Sequence, residues 1–260
     1  MSRRSPKGSS TAVATHRQEE RLGTLLIVSV LITAALYLIP PARIVAYPLL
    51  LLSTFAHEMG HGIAAMLVGG RFDQLLIHAD GSGVAMMRLP LTRTASAISS
   101  AGGLLGPPVM AALLLILGTR RAWASALLWI LSALSVLTVL WVVRSAFGVF
   151  FVLSLAATMA AFARWGKPVV QQFVVIFFAT QLGLSVFSRA DYLFQPYAQT
   201  ATGRMPSDVQ QISNALVGPY WFWGGAIALL SGGILFLAVR FYAKSILAHH
   251  EARTGNKRLI

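Results

Sequence analysis

Residues 44–68 read IVAYPLLLLSTFAHEMGHGIAAMLV, an apolar run that carries His57, Glu58 and His61. A helix needs about 20 apolar residues to cross a lipid bilayer. On a helix, residues four positions apart lie on one face, so the two imidazoles can bind the same metal ion. Glu58 lies beside that face and can reach a metal-bound water molecule as a general base. The stretch therefore predicts a membrane-embedded helix with a catalytic metal site.

The membrane setting strengthens this interpretation of the HExxH pattern, which is weak evidence in a soluble protein. Ionisable groups inside a membrane are costly and usually have a function. Zinc is bound by neutral imidazole nitrogens at about 2.0–2.1 Å, and a catalytic zinc keeps one position open for water. A simpler interpretation is a pair of packed histidines in a salt bridge with Glu58. We expect one zinc ion per chain, with His57 and His61 as ligands and Glu58 as the catalytic base.

The composition agrees with a membrane protein. The chain has 260 residues, of which 56% are hydrophobic and only 11% are charged. Soluble domains are typically about 25% charged, so this chain has too few polar residues to cover its apolar surface in water. It has no cysteine, which excludes disulfides, thiolate metal sites and cysteine nucleophiles. An integral membrane protein is therefore predicted, and we place it in a bacterial inner membrane.

Seven apolar runs are long enough to be membrane spans. Prolines, tryptophans and tyrosines near their ends fit boundaries at the membrane surface. The predicted fold class is an all-α polytopic membrane protein with about six to seven transmembrane helices. The runs are Leu22–Ile39, Ile44–Val68, Ala95–Gly118, Ala122–Val143, Ala146–Ala163, Pro168–Phe187 and Tyr220–Val239.

The net charge is +13, and the basic residues behind it are placed as membrane anchors rather than as a nucleic-acid-binding surface. Arginines and lysines stand at the ends of the apolar runs, where long cationic side chains reach lipid headgroups. The expected partners are the lipid bilayer and a membrane-protein or peptide substrate. No nucleic-acid partner is expected.

The predicted domain organisation has three parts. The chain divides into a disordered polar N-terminal tail, a single polytopic domain and a basic C-terminal tail, at residues 1–21, 22–243 and 244–260.

The segment Arg71–Pro90 reads RFDQLLIHADGSGVAMMRLP and predicts a small β-hairpin whose turn is DGSG. Because a transmembrane helix hides its peptide bonds, a substrate must unwind before it is cut. The hairpin can hold the unwound strand by edge pairing, which makes Leu75, Ile77, Gly81 and Gly83 candidate substrate-binding residues. A proline at Leu75 or Ile77 is then expected to abolish cleavage and to leave the zinc content intact.

The third run, Ala95–Gly118, is rich in glycine and proline, which predicts a bend or break in its helix. Broken backbone inside a membrane is tolerated only where protein or a cavity covers it. Close helix packing through small residues is an equally good explanation. If this run is re-entrant, both basic tails lie on one side of the membrane, and the sequence leaves the orientation open. The residues concerned are Gly102, Gly103, Gly106, Pro107 and Pro108.

A catalytic zinc needs a third protein ligand, and the chain has only eight acidic residues from which to choose. Three of them lie in the tails, and Glu58 is already assigned. Among the rest, Asp80 is more simply a turn residue and Asp73 a surface charge. Asp191 and Asp208 are nearly equal candidates, although the first can pair with an arginine and the second can begin a helix. The full set of candidates is Asp73, His78, Asp80, Asp191 and Asp208.

At this point the sequence resembles a known family. HEMGH inside a span, the glycine-rich hairpin after it and the later Gly-Pro run are similar to the site-2-protease family of intramembrane zinc metalloproteases. In its short branch, without a PDZ domain, a Ser-Asp pair opens a segment that runs to a proline and a tryptophan before the last span. Ser207, Asp208, Pro219 and Trp221 match that pattern. The resemblance implies Asp208 as the third ligand, with Asp191 as the alternative; the Asn-Pro and Leu-Asp-Gly motif of better-known members is absent.

The resemblance also implies the activity. We expect hydrolysis of transmembrane or membrane-associated peptide segments by zinc-activated water, in regulated intramembrane proteolysis. The alternatives are an ion- or proton-relay transporter and a catalytically silent scaffold. Relays usually distribute ionisable groups over several spans, whereas here His57, Glu58 and His61 are clustered on one.

Overall fold

The computed structural model describes the backbone of residues 8–188, 190–200 and 203–255. The side chains in these ranges are described except at 8–20, 37, 40, 43, 187, 188, 190, 191, 200 and 246–255. The helices and strands follow one another as α1 Gly8–Leu38, α2 Arg43–Leu67, β1 Arg71–Ile77, β2 Gly83–Arg88, α3 Arg93–Gly118, α4 Arg121–Trp141, α5 Ala146–Trp165, α6 Pro168–Ser188, β3 Tyr197–Thr200, β4 Gly203–Pro206, α7 Asp208–Ala215 and α8 Tyr220–Gly255.

Within the described residues, five helices are long and apolar enough to cross a membrane: α3, α4, α5 and most of α6 and α8. A shorter apolar helical stretch, Arg21–Leu36, belongs to α1. The predicted all-α polytopic membrane fold is therefore confirmed. The run Ile44–Val68 forms α2 but is not among the five, because the polar side chains around His57 lower its mean hydropathy.

Contacts between residues far apart in the sequence show which helix ends lie together. The Tyr242 hydroxyl, late in α8, donates a hydrogen bond to the carbonyl oxygen of Leu22 in α1 at 2.8 Å. The side-chain amide of Gln172, early in α6, donates to the carbonyl oxygen of Gly118 at the end of α3 at 2.9 Å. Helix α4 begins at Arg121, directly after α3. We call this side of the helix bundle the Arg121 end.

The predicted hairpin is confirmed and marks the opposite side, the hairpin end. Strands β1 and β2 pair antiparallel, and Gly81 in the turn has a positive φ of 87°. Asp80 is a turn residue, because its Oδ1 accepts hydrogen bonds from the backbone N–H and the hydroxyl of Ser82. A second hairpin, β3–β4, was not predicted from the sequence.

The outer edge of β1 is occupied by the connection between α4 and α5. The N–H of Leu75 donates to the carbonyl oxygen of Val142 at 2.8 Å, and the N–H of Arg144 donates to the carbonyl oxygen of Leu75 at 3.0 Å. The hydroxyl of Ser145 bonds both the N–H and the carbonyl oxygen of Ile77. β1 is therefore the inner strand, and β2 is the edge strand of this sheet.

This arrangement corrects the expected roles of Leu75 and Ile77. Both side chains are completely buried, and their backbone groups are bonded within the protein. They are core residues, and a proline at either position would disrupt the sheet itself. A substrate strand can pair with β2 instead.

Helix α3 runs without interruption from Arg93 to Gly118, which favours close helix packing over a broken helix, the two explanations that the sequence left open. Pro107 and Pro108 are buried inside it, and membrane helices tolerate proline where neighbouring elements cover the freed carbonyl groups. The glycines allow close packing instead: a Cβ on Gly106 would lie 2.7 Å from a carbonyl oxygen of α2.

The ends of the described chain lie inside helices. Helix α1 begins at Gly8, within the segment predicted to be a disordered tail, and α8 continues to Gly255. Residues 1–7 and 256–260 lie outside the described residues. The division into tails and one domain remains a prediction.

Candidate metal centre

Three side chains from distant parts of the chain converge on one point. The Nε2 atom of His57 lies 3.1 Å from Oδ2 of Asp208, and the Nε2 atom of His61 lies 3.3 Å from Oδ1 of the same carboxylate. The two Nε2 atoms are 3.1 Å apart. Within the part of the chain that the structure describes, this is the group of histidine and acidic residues that could hold a metal ion.

The spacing of these atoms fits zinc. Ligand atoms at about 2.0–2.1 Å from a tetrahedral zinc are about 3.3–3.4 Å from one another. The separations of 3.1, 3.1 and 3.3 Å are close to that value. Two imidazoles and one carboxylate are also the donor set of catalytic zinc sites, which leave the fourth position open.

His61 is held in the tautomer that a metal requires. Its Nδ1 lies 2.8 Å from the carbonyl oxygen of Ser99 on α3. A carbonyl oxygen can only accept, so Nδ1 carries the proton and the lone pair of Nε2 is free for a metal. Sequence reasoning missed this role of Ser99, because every residue has a backbone carbonyl and the sequence does not show which one lies beside a histidine.

Asp208 is brought to the histidines by the start of α7. The hydroxyl of Ser207 accepts a hydrogen bond from the N–H of Gln210 and so caps this helix. The same hydroxyl donates to the carbonyl oxygen of Gln195, and the N–H of Ser207 donates to the carbonyl oxygen of Pro196. These bonds fix the N-terminus of α7, so that the carboxylate of Asp208 points inward and only 4% of the residue is exposed.

Tyr192 is a further member of the cluster that sequence reasoning missed. Its hydroxyl donates to Oδ2 of Asp208 at 3.1 Å, and its ring meets the ring of His57 edge-on. Burial and the neighbouring carboxylate raise the pKa of Tyr192, so the phenol keeps its proton and remains a donor. Burial alone would raise the pKa of Asp208, but the nearby imidazoles of His61 and His57 outweigh burial and lower it, which keeps the carboxylate ionised.

Glu58 lies where two cavities meet. A cavity of about 410 Å³ is lined by His57, Glu58, Gly81 and Gly83, and a second of about 180 Å³ by His57, Glu58, Gly83 and Asp208. Gly83 on the edge strand β2 is so close that an added Cβ would lie 2.6 Å from Cγ of Glu58. The predicted glycines of the hairpin therefore line a cleft that runs past the carboxylate.

Three of the other sequence candidates, Asp73, His78 and Asp80, are not in the metal-binding group. Asp73 forms two hydrogen bonds with the guanidinium of Arg88, at 2.6 and 2.7 Å, which lower the pKa of Asp73. His78 and Asp80 belong to the strand end and turn of the hairpin and are not in the metal-binding group. The side chain of Asp191 lies outside the described residues.

Gly103 of α3 provides the space that His61 occupies, and this predicts a strong effect of one methyl group. A Cβ on Gly103 would overlap Nε2 of His61. We expect Gly103→Ala to displace the imidazole and to reduce the metal content of the purified protein to a small fraction of the wild-type value. Metal content is measured by elemental analysis after gel filtration in detergent.

Gly232→Ala in α8 is the matched control, because nothing lies within 4 Å of a Cβ at that position. Alanine favours a helix over glycine by about 0.8–1.0 kcal/mol, so this variant is expected to fold and to keep its metal. Full metal content in Gly103→Ala would contradict the assignment of His61 as a ligand.

Comparison with known proteins agrees with the site. The family model described as Peptidase M50B-like matches residues 27–238. Comparisons with curated proteins and with solved structures found no match. The matched range contains the HExGH helix, the hairpin, Asp208 and about half of α8. With a match over most of its length, the chain belongs to the Peptidase M50B-like family, which is the site-2-protease family.

Proposed function

We propose that this protein is an intramembrane zinc metalloprotease that cleaves transmembrane or membrane-associated peptide segments. The observation that carries the proposal is the convergence of His57, His61 and Asp208 beside Glu58, in a cleft among apolar helices. The family supports a metalloprotease, and zinc is typical of it. The relay alternative is less favoured, because these ionisable groups meet at one point instead of forming a path along several spans.

In this proposal His57, His61 and Asp208 hold one zinc ion. When bound, zinc supplies a Lewis acid that acidifies water and polarises a carbonyl oxygen. The carboxylate of Glu58 takes a proton from the attacking water and later delivers it to the nitrogen of the leaving amine. Tyr192 positions Asp208, since its hydroxyl donates to the carboxylate oxygen nearest His57. The Ser99 carbonyl fixes the His61 tautomer.

The substrate is proposed to enter the cleft as an unwound strand that pairs with β2. Val84, Ala85 and Met87 of this strand line the cavity that also contains Asp208. A strand added to a sheet edge gains backbone hydrogen bonds whatever its sequence, and alternate side chains give selectivity. Because a Cβ added at Gly83 would lie 2.9 Å from Oε1 of Glu58, we expect the scissile bond to lie opposite Gly83.

The setting of the enzyme is part of the proposal. Residues 22–243 would act as one polytopic domain in the lipid bilayer, with tails at 1–21 and 244–260. We place the protein in a bacterial inner membrane, where regulated intramembrane proteolysis releases membrane-bound factors. The expected partners are lipids and a membrane-protein or peptide substrate.

Metal removal tests this function. The purified protein in detergent is expected to cut a model single-span peptide that carries a helix-breaking glycine-proline pair. Dialysis against a strong zinc chelator should stop cleavage, and one equivalent of zinc should restore it, whereas magnesium, which prefers oxygen ligands, should not. Cleavage that continues after the metal has been removed would contradict a zinc mechanism.

A further inference from the structure

The second hairpin, β3–β4, presents one of its two faces to the metal centre. Ala198 of β3 and Met205 of β4 are directly opposite each other in the antiparallel register, so their side chains share a face. Both residues line the cavity of about 180 Å³ that also contains Asp208. On the other face, Cζ of Arg204 lies 4.1 Å from the centre of the Tyr197 ring, and both side chains are exposed. The hairpin therefore has an inner face that belongs to the site.

Hydrogen bonds hold this hairpin beside the metal ligands. Its two ends meet at Ser207, whose N–H donates to the carbonyl oxygen of Pro196 at 3.0 Å and whose hydroxyl donates to the carbonyl oxygen of Gln195. The chain enters the hairpin shortly after Tyr192 and leaves it just before Asp208, and these two side chains are hydrogen-bonded to each other. The hairpin is therefore anchored at both ends to the metal centre.

The edge strand β2 forms another wall of the same cavity. Ala85 and Met87 are two residues apart, so they lie on one face of the strand, and both line the cavity. The Sδ atom of Met87 accepts a hydrogen bond from the hydroxyl of Ser99 at 3.2 Å, which places this side chain close to His61. Met86 lies between them, points to the other face and is 46% exposed.

The small cavity and the larger one of about 410 Å³ meet beside the proposed general base. Two of the residues at this junction, Gly83 of β2 and Ala198 of β3, have the smallest side chains, which leaves room for a peptide backbone between the two hairpins. A strand whose scissile bond lies at Glu58 then places a neighbouring side chain in the smaller cavity. The residues that line both cavities are His57, Glu58, Gly83, Tyr192 and Ala198.

The smaller cavity has the size and the lining of a pocket for one apolar side chain. Pockets for whole small molecules typically measure about 300–1,000 Å³, and this cavity measures about 180 Å³. Methionine is flexible and adapts to side chains of different shape. An acidic side chain would place its charge against apolar walls and beside the carboxylate of Glu58, which is unfavourable. The walls from β2 and the second hairpin are Val84, Ala85, Met87, Ala198, Met205 and Pro206.

We propose that the smaller cavity is the specificity pocket of this protein and that Met87 and Met205 determine which substrate side chain it accepts. The inference rests on the proposed proteolytic function. The substrates are then membrane peptides with an apolar residue next to the scissile bond. Alanine at either methionine enlarges the pocket, so the variants accept a bulkier side chain than the wild type does.

Cleavage of matched peptides tests the pocket. The cleavage site of a single-span peptide is mapped by mass spectrometry, and leucine, tryptophan or aspartate is then placed directly before the scissile bond in one set and directly after it in another. In one of the two sets, the wild-type kcat/KM is expected to be at least about tenfold higher for leucine than for aspartate. In the same set, Met87→Ala and Met205→Ala should each raise the tryptophan-to-leucine ratio at least about tenfold, a gain that misfolding cannot produce.

Met86→Ala is the matched control, because it makes the same change on the other face of β2. It is expected to keep the wild-type tryptophan-to-leucine ratio. Ratios that Met87→Ala and Met205→Ala leave unchanged, or that Met86→Ala changes as much, would overturn the pocket and leave the proteolytic function in place.

Peptide binding separates the pocket from the proteolytic function. The Glu58→Gln variant, alone or combined with Met87→Ala or Met205→Ala, is titrated with fluorescent forms of the same peptides. It is expected to bind the leucine peptide at least about tenfold more tightly than the aspartate peptide, and the added alanine should shift the preference to tryptophan. If this binding pattern is found while the wild type cuts no peptide, the proteolytic function fails and the pocket stands. Absence of both binding and cleavage would overturn both.

Discussion

The Glu58→Gln variant is expected to bind zinc as the wild type does and to cleave a single-span peptide about 10²–10⁴-fold more slowly, the usual contribution of a general base. Glutamine has nearly the same shape as glutamate, but its amide cannot take a proton from water. Glu58 is not one of the three residues whose ligand atoms converge on the metal position, so the variant should still bind zinc. The measurement is the initial rate of cleavage in detergent with zinc per chain determined on the same preparation.

Glu251→Gln makes the same chemical change in the C-terminal segment and is the matched control. It is expected to keep the wild-type rate. Wild-type cleavage by Glu58→Gln would exclude Glu58 as the base. Loss of zinc in that variant would instead assign Glu58 to the metal ligands and contradict the geometry at His57, His61 and Asp208.

Replacement of Asp208 by alanine should weaken zinc binding more than about 100-fold. Changes to residues that only orient a ligand typically reduce metal affinity 10–100-fold, and removal of a ligand does more. Tyr192→Phe, which removes one hydrogen bond to this carboxylate, should therefore have the smaller effect, about 10–100-fold. Affinity is measured by competition with a zinc-binding dye, and thermal unfolding of each variant shows that it is folded.

Asp191→Ala decides between the two aspartates that the sequence leaves as candidates. It is expected to bind zinc with the wild-type affinity, because Asp208 is the carboxylate in contact with both histidines. A loss of affinity in Asp191→Ala together with normal affinity in Asp208→Ala would reverse the assignment.

Features that depend on local spacing could be predicted from the sequence. The interval of four between His57 and His61 sets both imidazoles on one face of α2. The DGSG turn predicted the hairpin, and its second position, Gly81, has the positive φ that glycine accommodates best. Apolar length was enough to predict a polytopic membrane fold, since it requires no knowledge of which helices touch.

Features that depend on contacts between distant segments could not be predicted. Whether β1 or β2 is the edge strand is decided by the bonds of Leu75 to Val142 and Arg144, which belong to another connection of the chain. No local sequence pattern predicts that pairing, so Leu75 and Ile77 were assigned to substrate binding instead of to the core. The choice of Asp208 over Asp191 likewise required the resemblance to a family.

The uninterrupted course of α3 shows which of two explanations applies. Proline removes a backbone donor and normally bends or breaks a helix, so the sequence left a bend or break at Pro107 and Pro108 open beside close helix packing. Packing against neighbouring helices covers this part of α3. The glycines nearby allow α2 and α3 to approach closely, and Gly103 leaves room for His61. The glycine-proline pattern therefore indicates helix packing at the metal centre rather than a broken span.

The central claim is that His57, His61 and Asp208 form a zinc site, and the zinc content of the purified wild-type protein tests it most directly. After gel filtration in detergent, elemental analysis is expected to find one zinc per chain, and less than a tenth of that in a His57→Ala, His61→Ala double variant. A folded wild-type protein that contains no zinc, and takes up none when zinc is supplied, would contradict the account.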